Sequence, residues 1–158
     1  MSQSSLIPQR AVELFEQGYN CAQAVFGAFA EEMGMTEKQA VKMVSALGGG
    51  LCRMRETCGA VTGGMMALGV LRGYDDPQSD ETKMALYARG QRMLTPFKEK
   101  FGTFTCKELL DLPMDGALSP IPTPRTAKFY QERPCARFVY EMAKLVEEEI
   151  HAEETDGN

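Results

Sequence analysis

The residues of this chain best placed to do chemistry are its thiols. There are five cysteines and one histidine among 158 residues. Four of the cysteines directly follow a residue suited to begin a helix. Cys21 follows Asn20, Cys58 follows Thr57, Cys106 follows Thr105, and Cys135 follows Pro134, a residue favoured at the first helical position. Each thiol is therefore expected in a first helical turn. Unpaired backbone N–H groups and the positive end of the helix dipole stabilise a thiolate there and lower the thiol pKa. The thiolate is the form that attacks disulfides, is oxidised, or ligates soft metals. Four low-pKa thiols are the expectation. Any one of these positions is equally compatible with an inert, buried cysteine acting as a small hydrophobe, but four together favour chemistry over packing. Cys52 stands apart in a glycine-rich loop, with Arg53 and Arg55 between it and Cys58. It reads first as a bystander and second as a resolving or accessory thiol. The two arginines read first as solvated loop charges, although beside a thiolate they would favour its ionised form.

Other chemistries find little support. The sole histidine, His151, lies in an acidic C-terminal stretch, so Cys-His and Ser-His nucleophile pairs, a His-rich zinc site and histidine acid–base catalysis lack their central residue. No C-x-x-C pair occurs, which removes a thioredoxin-like motif, a zinc ribbon and covalent haem attachment. Gly48 to Gly50 precede a loop instead of following a strand and lack a phosphate-binding lysine. The eleven methionines read as core filler.

The elements that must position the thiols are helical by period. Ala11, Val12, Leu14 and Phe15 open an apolar stripe that Gly18 interrupts; Asn20 with Gln23, and Thr36 with Gln39, are capping-box pairs for the next two helices. Thr57 is expected to cap a helix running to Gly73, with Gly63, Gly64 and Gly69 inside it marking close approach of another backbone or a ligand. A long amphipathic helix through Met84, Tyr87, Leu94 and Phe97 should end at Gly102, with Pro96 a possible kink, and Thr105 with Glu108 is a third capping box. Leu112 to Thr126 holds four prolines and should lie extended over the surface, as a cover or a plain connector. A last helix carries Phe138, Val139, Met142, Leu145 and Val146. The expected fold is all-α: a single compact bundle of about five to seven helices over residues 1–150, followed by an acidic, disordered tail at 151–158. No internal repeat and no alternating strand pattern is present.

At 44% hydrophobic and 25% charged, the composition is that of a globular protein. The formal charge of −5 is concentrated in the last twelve residues, which hold Glu147, Glu148, Glu149, Glu153, Glu154 and Asp156 and no Lys or Arg; the rest of the chain is nearly neutral. This argues against binding to nucleic acid or an anionic membrane. The longest apolar stretch, Cys58 to Leu71, is too short and glycine-rich to span a bilayer. The start of the chain has no basic run followed by an apolar stretch, so a cytoplasmic location is expected. In that compartment five cysteines are reactive, metal-binding or buried before they are disulfide-bonded.

The cysteine order resembles that of the C_GCAxxG_C_C family, whose proposed role is redox activity. The first cysteine falls on Cys21, in Gly18-Tyr19-Asn20-Cys21-Ala22-Gln23; the central motif falls on Cys58-Gly59-Ala60-Val61-Thr62-Gly63-Gly64, after Gly48 to Gly50; the last two cysteines fall on Cys106 and Cys135. The family label has glycine before its central cysteine, where this chain has Thr57, and Cys52 is outside the label. The resemblance implies a helical fold and four functional cysteines. The leading reading is a redox-active protein in which Cys21, Cys58, Cys106 and Cys135 converge at one end of the bundle, Cys58 acting as nucleophile and one of the others resolving it, with a redox partner protein. The alternatives are an iron–sulfur cluster or a structural zinc held by the same four cysteines, and a non-catalytic interaction module using the proline-rich stretch and the acidic tail. Substrate, electron donor and oligomeric state are not encoded in any motif.

Overall fold

The computed structural model describes residues 6–112 and 118–156, with side chains as far as residue 152. The fold is all-α. Its helices are α1 (Ile7–Glu16), α2 (Cys21–Ala28), α3 (Glu37–Met43), α4 (Gly59–Arg72), α5 (Asp80–Phe101), α6 (Cys106–Leu110), α7 (Ala127–Glu132) and α8 (Cys135–Asp156), with a 3-10 turn at Ser45–Leu47. Eight α-helices among the described residues is one more than the upper expectation. The additional one is α7, a short helix capped by Thr126, whose side chain accepts from the Phe129 N–H. Pro113 to Gly116 and Ala117 lie outside the described residues, so the proline-rich stretch is described only from Leu118 on. Helix α8 continues beyond residue 150 as far as Asp156.

The capping pairs explain where the helices start. Asn20 and Gln23 exchange side-chain-to-backbone hydrogen bonds at 2.9 and 3.1 Å, and Thr36 and Gln39 do the same at 3.1 and 2.9 Å. The other two expected caps differ. Thr57 forms an isolated antiparallel bridge with Thr105, so Cys58 itself becomes the N-cap of α4. Thr105 precedes α6 without a side-chain capping bond, because the Glu108 carboxylate instead accepts from the Thr103 hydroxyl at 2.6 Å. Helix α5 ends as the sequence indicates, at Gly102 in the left-handed conformation (φ +88°).

Helix α2 lies at the centre, packed on α1, α3, α4 and α8, and α8 in turn packs on α1, α4 and α5. Their buried faces form one apolar cluster that includes Leu14, Phe15, Phe26, Phe29, Met93, Phe97 and Met142. Burying each large side chain contributes about 1.5–3 kcal/mol. The glycines of α4 set how closely its neighbours approach. A Cβ at Gly63 would lie 2.7 Å from the Ala22 carbonyl oxygen, and one at Gly64 would lie 2.8 Å from Met142 Cγ. Close packing at Gly63 brings the N-terminal ends of α2 and α4 together, and with them Cys21 and Cys58. Gly69 does not share the role, since nothing lies within 4 Å of its missing Cβ.

Candidate functional site: a thiol cluster beside an arginine-lined cleft

All four cysteines sit at helix N-termini. Cys21, Cys106 and Cys135 are the first residues of α2, α6 and α8, and Cys58 is the N-cap of α4. The helices converge so that the four thiols line one small cavity of about 40 Å³, together with Arg55, Gly50 and Phe138. Two local devices hold it. The bridge between Thr57 and Thr105 is flanked by Cys58 N–H donating to Phe104 O at 2.7 Å and Cys106 N–H donating to Glu56 O at 2.6 Å, which brings those two cysteines side by side. Gly50 lies against Cys106; a Cβ there would be 2.7 Å from Cys106 Cβ.

The loop between α3 and α4 is unusual. Gly49, Gly50, Leu51, Cys52 and Arg53 are consecutive residues with φ between +46° and +70°, and Arg55 is at +60°. This is a left-handed turn, tied by Cys52 N–H to Ala46 O (2.8 Å), Arg53 N–H to Gly48 O (3.1 Å) and Arg55 N–H to Gly49 O (3.0 Å). For non-glycine residues such backbone costs roughly 1–2 kcal/mol each. The turn sends its two arginines in different directions. Arg55 turns inward, is only 8% exposed, and places Nη1 3.7 Å from Cys106 Sγ. Arg53 turns to the neighbouring cleft and donates to Ser119 O (3.1 Å) and Thr123 Oγ1 (3.2 Å). The proline-rich segment thus forms a wall of that cleft, through Pro120, Pro122 and Thr123.

This second cavity, about 540 Å³, opens to solvent, and Cys21 and Cys135 line both it and the small thiol cavity. With Gly49 and Arg55, the pair forms the partition between the two. Cys58 and Cys106 lie behind it, while Cys52 is exposed on the cleft side. Arg125 and Arg133 complete the cleft. Arg125 is clamped by Phe15 O (3.2 Å) and Tyr19 O (3.1 Å), with its guanidinium 4.6 Å from the centroids of both the Phe15 and Phe129 rings. Arg133 lies over Phe129 at 5.4 Å.

Electrostatics separate the four thiols. Burial pushes the Cys58 thiol up to about 12, outweighing the Ala60 and Val61 N–H groups, which face the sulfur without completing a capping hydrogen bond. Burial raises Cys106 too, with Arg55 as the counterweight. Cys21 is raised because its S–H donates to the Cys135 sulfur, and because it is desolvated. Cys135 alone is lowered, by that hydrogen bond from Cys21 first and then by Arg133, Arg125 and Arg55, against the opposing effect of burial. The expectation of four low-pKa thiols is thus corrected: a helix start is shared by all four, but desolvation overrides it in Cys58 and Cys106, and the interaction with Cys135, followed by desolvation, overrides it in Cys21.

The site was therefore legible in part. The four cysteines and their helix-start positions follow from the sequence to within one residue. Arg125 and Arg133 were missed. Arg133 stands two residues before Cys135, which is a signal, but Arg125 lies in a proline-rich stretch with nothing local to mark it. Among the described residues no group of three or more His, Cys, Asp or Glu is arranged to hold a metal ion, and all five cysteines are free. The geometry in hand is that of two thiols at the wall of an open cleft, backed by two further thiols.

Residues 19–149 match the C_GCAxxG_C_C family, described as "Putative redox-active protein". The chain belongs to that family. No curated protein and no solved structure matches it. Among the described residues no helix is long and apolar enough to cross a membrane.

Proposed function

We propose that this member of the C_GCAxxG_C_C family is a thiol–disulfide exchange protein in which Cys135 is the attacking thiolate and Cys21 the resolving thiol. The observation that carries the reading is the position of Cys21 and Cys135, which line both an open cleft and the small cavity that holds Cys58 and Cys106. A thiolate holding a hydrogen bond from a second thiol is poised for both halves of the exchange. Cys135 S⁻ attacks a sulfur of the incoming disulfide, forming a mixed disulfide and releasing one thiolate. Cys21, having passed its proton to that leaving thiolate, then attacks Cys135 Sγ and expels the second. The protein dithiol is oxidised to a Cys21–Cys135 disulfide, and the incoming disulfide is reduced to two thiols. The reverse sequence oxidises a redox partner.

This assignment moves the nucleophile from Cys58, favoured by its surrounding glycines, to Cys135. Enclosed and held neutral, Cys58 suits a second dithiol with Cys106, which can pass electrons to the first. The reading goes with a cytoplasmic location, where thiols are kept reduced. The test is oxidation of the fully reduced protein by a small disulfide, followed by peptide mapping. The expected first product is the Cys21–Cys135 linkage, and Cys135→Ser should abolish it while Cys52→Ser does not. A first linkage between Cys58 and Cys106, or unimpaired oxidation of Cys135→Ser, would overturn the assignment.

A further inference from the structure

The cleft in front of Cys21 and Cys135 has a charge pattern that the exchange chemistry alone does not require. Arg53, Arg55, Arg125 and Arg133 line it, and among the described residues no Asp or Glu does. None of the four guanidiniums takes part in an ion pair within the described residues, although the chain as a whole is acidic at −5. Elsewhere on the molecule arginines are paired in the ordinary way, as Arg10 is with Glu37 at 2.8 Å and Arg92 with Glu149 at 2.7 Å. Among the described residues Arg137 also lacks an ion pair, but it stands alone over the Phe101 ring, whereas this cavity gathers four such guanidiniums.

Like charges gathered without counter-charges repel. Desolvation first, and then Arg55 and Arg133, act to lower the Arg53 pKa. Their positions are nonetheless fixed. Arg53 is tied to Ser119 and Thr123, Arg125 to two backbone carbonyls between aromatic rings, and Arg55 is buried against Cys106. The strained left-handed turn that carries Arg53 and Arg55 is part of the same arrangement. A Cys135 thiolate supplies one negative charge against four positive ones. A preorganised, uncompensated cluster of guanidiniums in a concave site is a binding surface for carboxylate or phosphate groups, which it can grip in bidentate fashion.

From this arginine-lined cleft opening on the Cys21–Cys135 pair, we infer that the exchange substrate is a small disulfide, or its thiol, that carries anionic groups. The inference rests on the exchange reading above and names its substrate class. Guanidiniums hold the anionic ends, Phe129 and the prolines contact the apolar part, and one sulfur is brought to Cys135. Exchange proceeds as already written: the substrate S–S bond breaks, a Cys21–Cys135 bond forms, and the two anionic thiols leave.

The test compares three small disulfides of graded charge: dianionic 3,3′-dithiodipropionate, neutral bis(2-hydroxyethyl) disulfide and dicationic cystamine. Rates of oxidation of the reduced protein are each divided by the rate of the same disulfide with dithiothreitol, which removes intrinsic differences in reactivity. The expected order is dianion, then neutral, then dication, with the dianion about tenfold or more ahead of the neutral compound at low salt and the gap narrowing as salt screens the cleft. Arg133→Gln should shrink the dianion-to-neutral ratio several-fold, a ratio unaffected by any accompanying change in the Cys135 thiolate fraction. Suberate, an unreactive dicarboxylate of the same length as the dianionic disulfide, separates binding from chemistry. It should bind the reduced protein by calorimetry and bind Arg133→Gln more weakly. Equal normalised rates for all three disulfides, with no suberate binding, would overturn the inference while leaving the exchange reading intact. Suberate binding without any Cys21–Cys135 disulfide would overturn the exchange reading and the substrate role with it.

Discussion

At the scale of single residues, two opposing effects act on every thiol of the site, and their magnitudes decide the outcome. A helix N-terminus favours an anion by about 0.3–1 kcal/mol, reaching about 2 in partly buried geometries. Full burial of an ionisable group can shift its pKa by several units, each worth about 1.4 kcal/mol. At Cys58, 4% exposed, burial wins and the thiol is pushed up to about 12. At Cys135 the Cys21 S–H and three arginines reverse the balance. The helix starts can be read from Asn20, Thr105 and Pro134; desolvation cannot, because it depends on what α6 and the 49–55 loop place over the sulfurs. The Cys58 shift has a consequence for stability. The unfolded thiol loses its proton near pH 8.5, whereas the folded one keeps it until about 12, so above pH 8.5 the unfolded chain binds fewer protons and stability falls with rising pH. At pH 10 the loss from this residue is about 2 kcal/mol. Denaturant titrations between pH 7.5 and 10.5 should show that decline, with a visibly smaller slope in Cys58→Ser. Equal slopes in the two proteins would refute the account.

At the scale of elements, the glycines of α4 and the left-handed turn make separable predictions. Gly63 and Gly69 are six residues apart in one helix, yet only Gly63 faces the backbone of α2. Replacing the exposed Gly69 with Ala should stabilise by about 0.5–1 kcal/mol through helix propensity and lower unfolded-chain entropy. The same change at Gly63 gains the same propensity but drives a methyl into the Ala22 carbonyl, and a net loss of about 1–3 kcal/mol is expected. Chemical denaturation of the two variants checks the opposite signs. Glycine in a helix signals close approach in the sequence, but not which glycine is approached; that depends on the rotation of α4 against α2. The turn is a harder case. Nothing in Leu51-Cys52-Arg53 announces left-handed backbone, which tertiary contacts and the hydrogen bonds to Ala46 and Gly48 impose. Because Cys52 is exposed and lies at φ +46°, Cys52→Gly should relieve strain and stabilise by about 0.5–1 kcal/mol net of glycine's entropy, while Cys52→Ser stays within about 0.5 kcal/mol of wild type. Thermal melts of the reduced proteins distinguish these outcomes, and a destabilised Cys52→Gly would mean that the side chain, not the backbone, matters there.

At the scale of the whole molecule, the all-α bundle joins distant parts of the chain at one point. Cys21 opens α2 near the N-terminus and Cys135 opens α8, the last helix, so their thiols meet only because α2 and α8 pack together across α4 and α1. Sequence period reveals that these helices exist and which faces are apolar, but the pairing of first and last elements is a property of the packed core around Phe26, Val139 and Met142. That topology makes the oxidation state of the proposed pair a determinant of stability. A Cys21–Cys135 disulfide encloses most of the chain, and closing a loop on the order of 100 residues restricts the unfolded ensemble by about 4–5 kcal/mol in the chain-entropy picture. The bond also removes the thiolate and its hydrogen bond, along with the compensation it gives Arg55, Arg125 and Arg133, which offsets some of that gain. A net increase of about 2–4 kcal/mol in unfolding free energy is expected on oxidation, measured by denaturant titration at pH 7 with and without reductant. The difference should vanish in both Cys21→Ser and Cys135→Ser and persist in Cys52→Ser. If it persists in Cys135→Ser and vanishes in Cys106→Ser, the stabilising bond lies between other thiols, and the roles given to the two pairs must be exchanged.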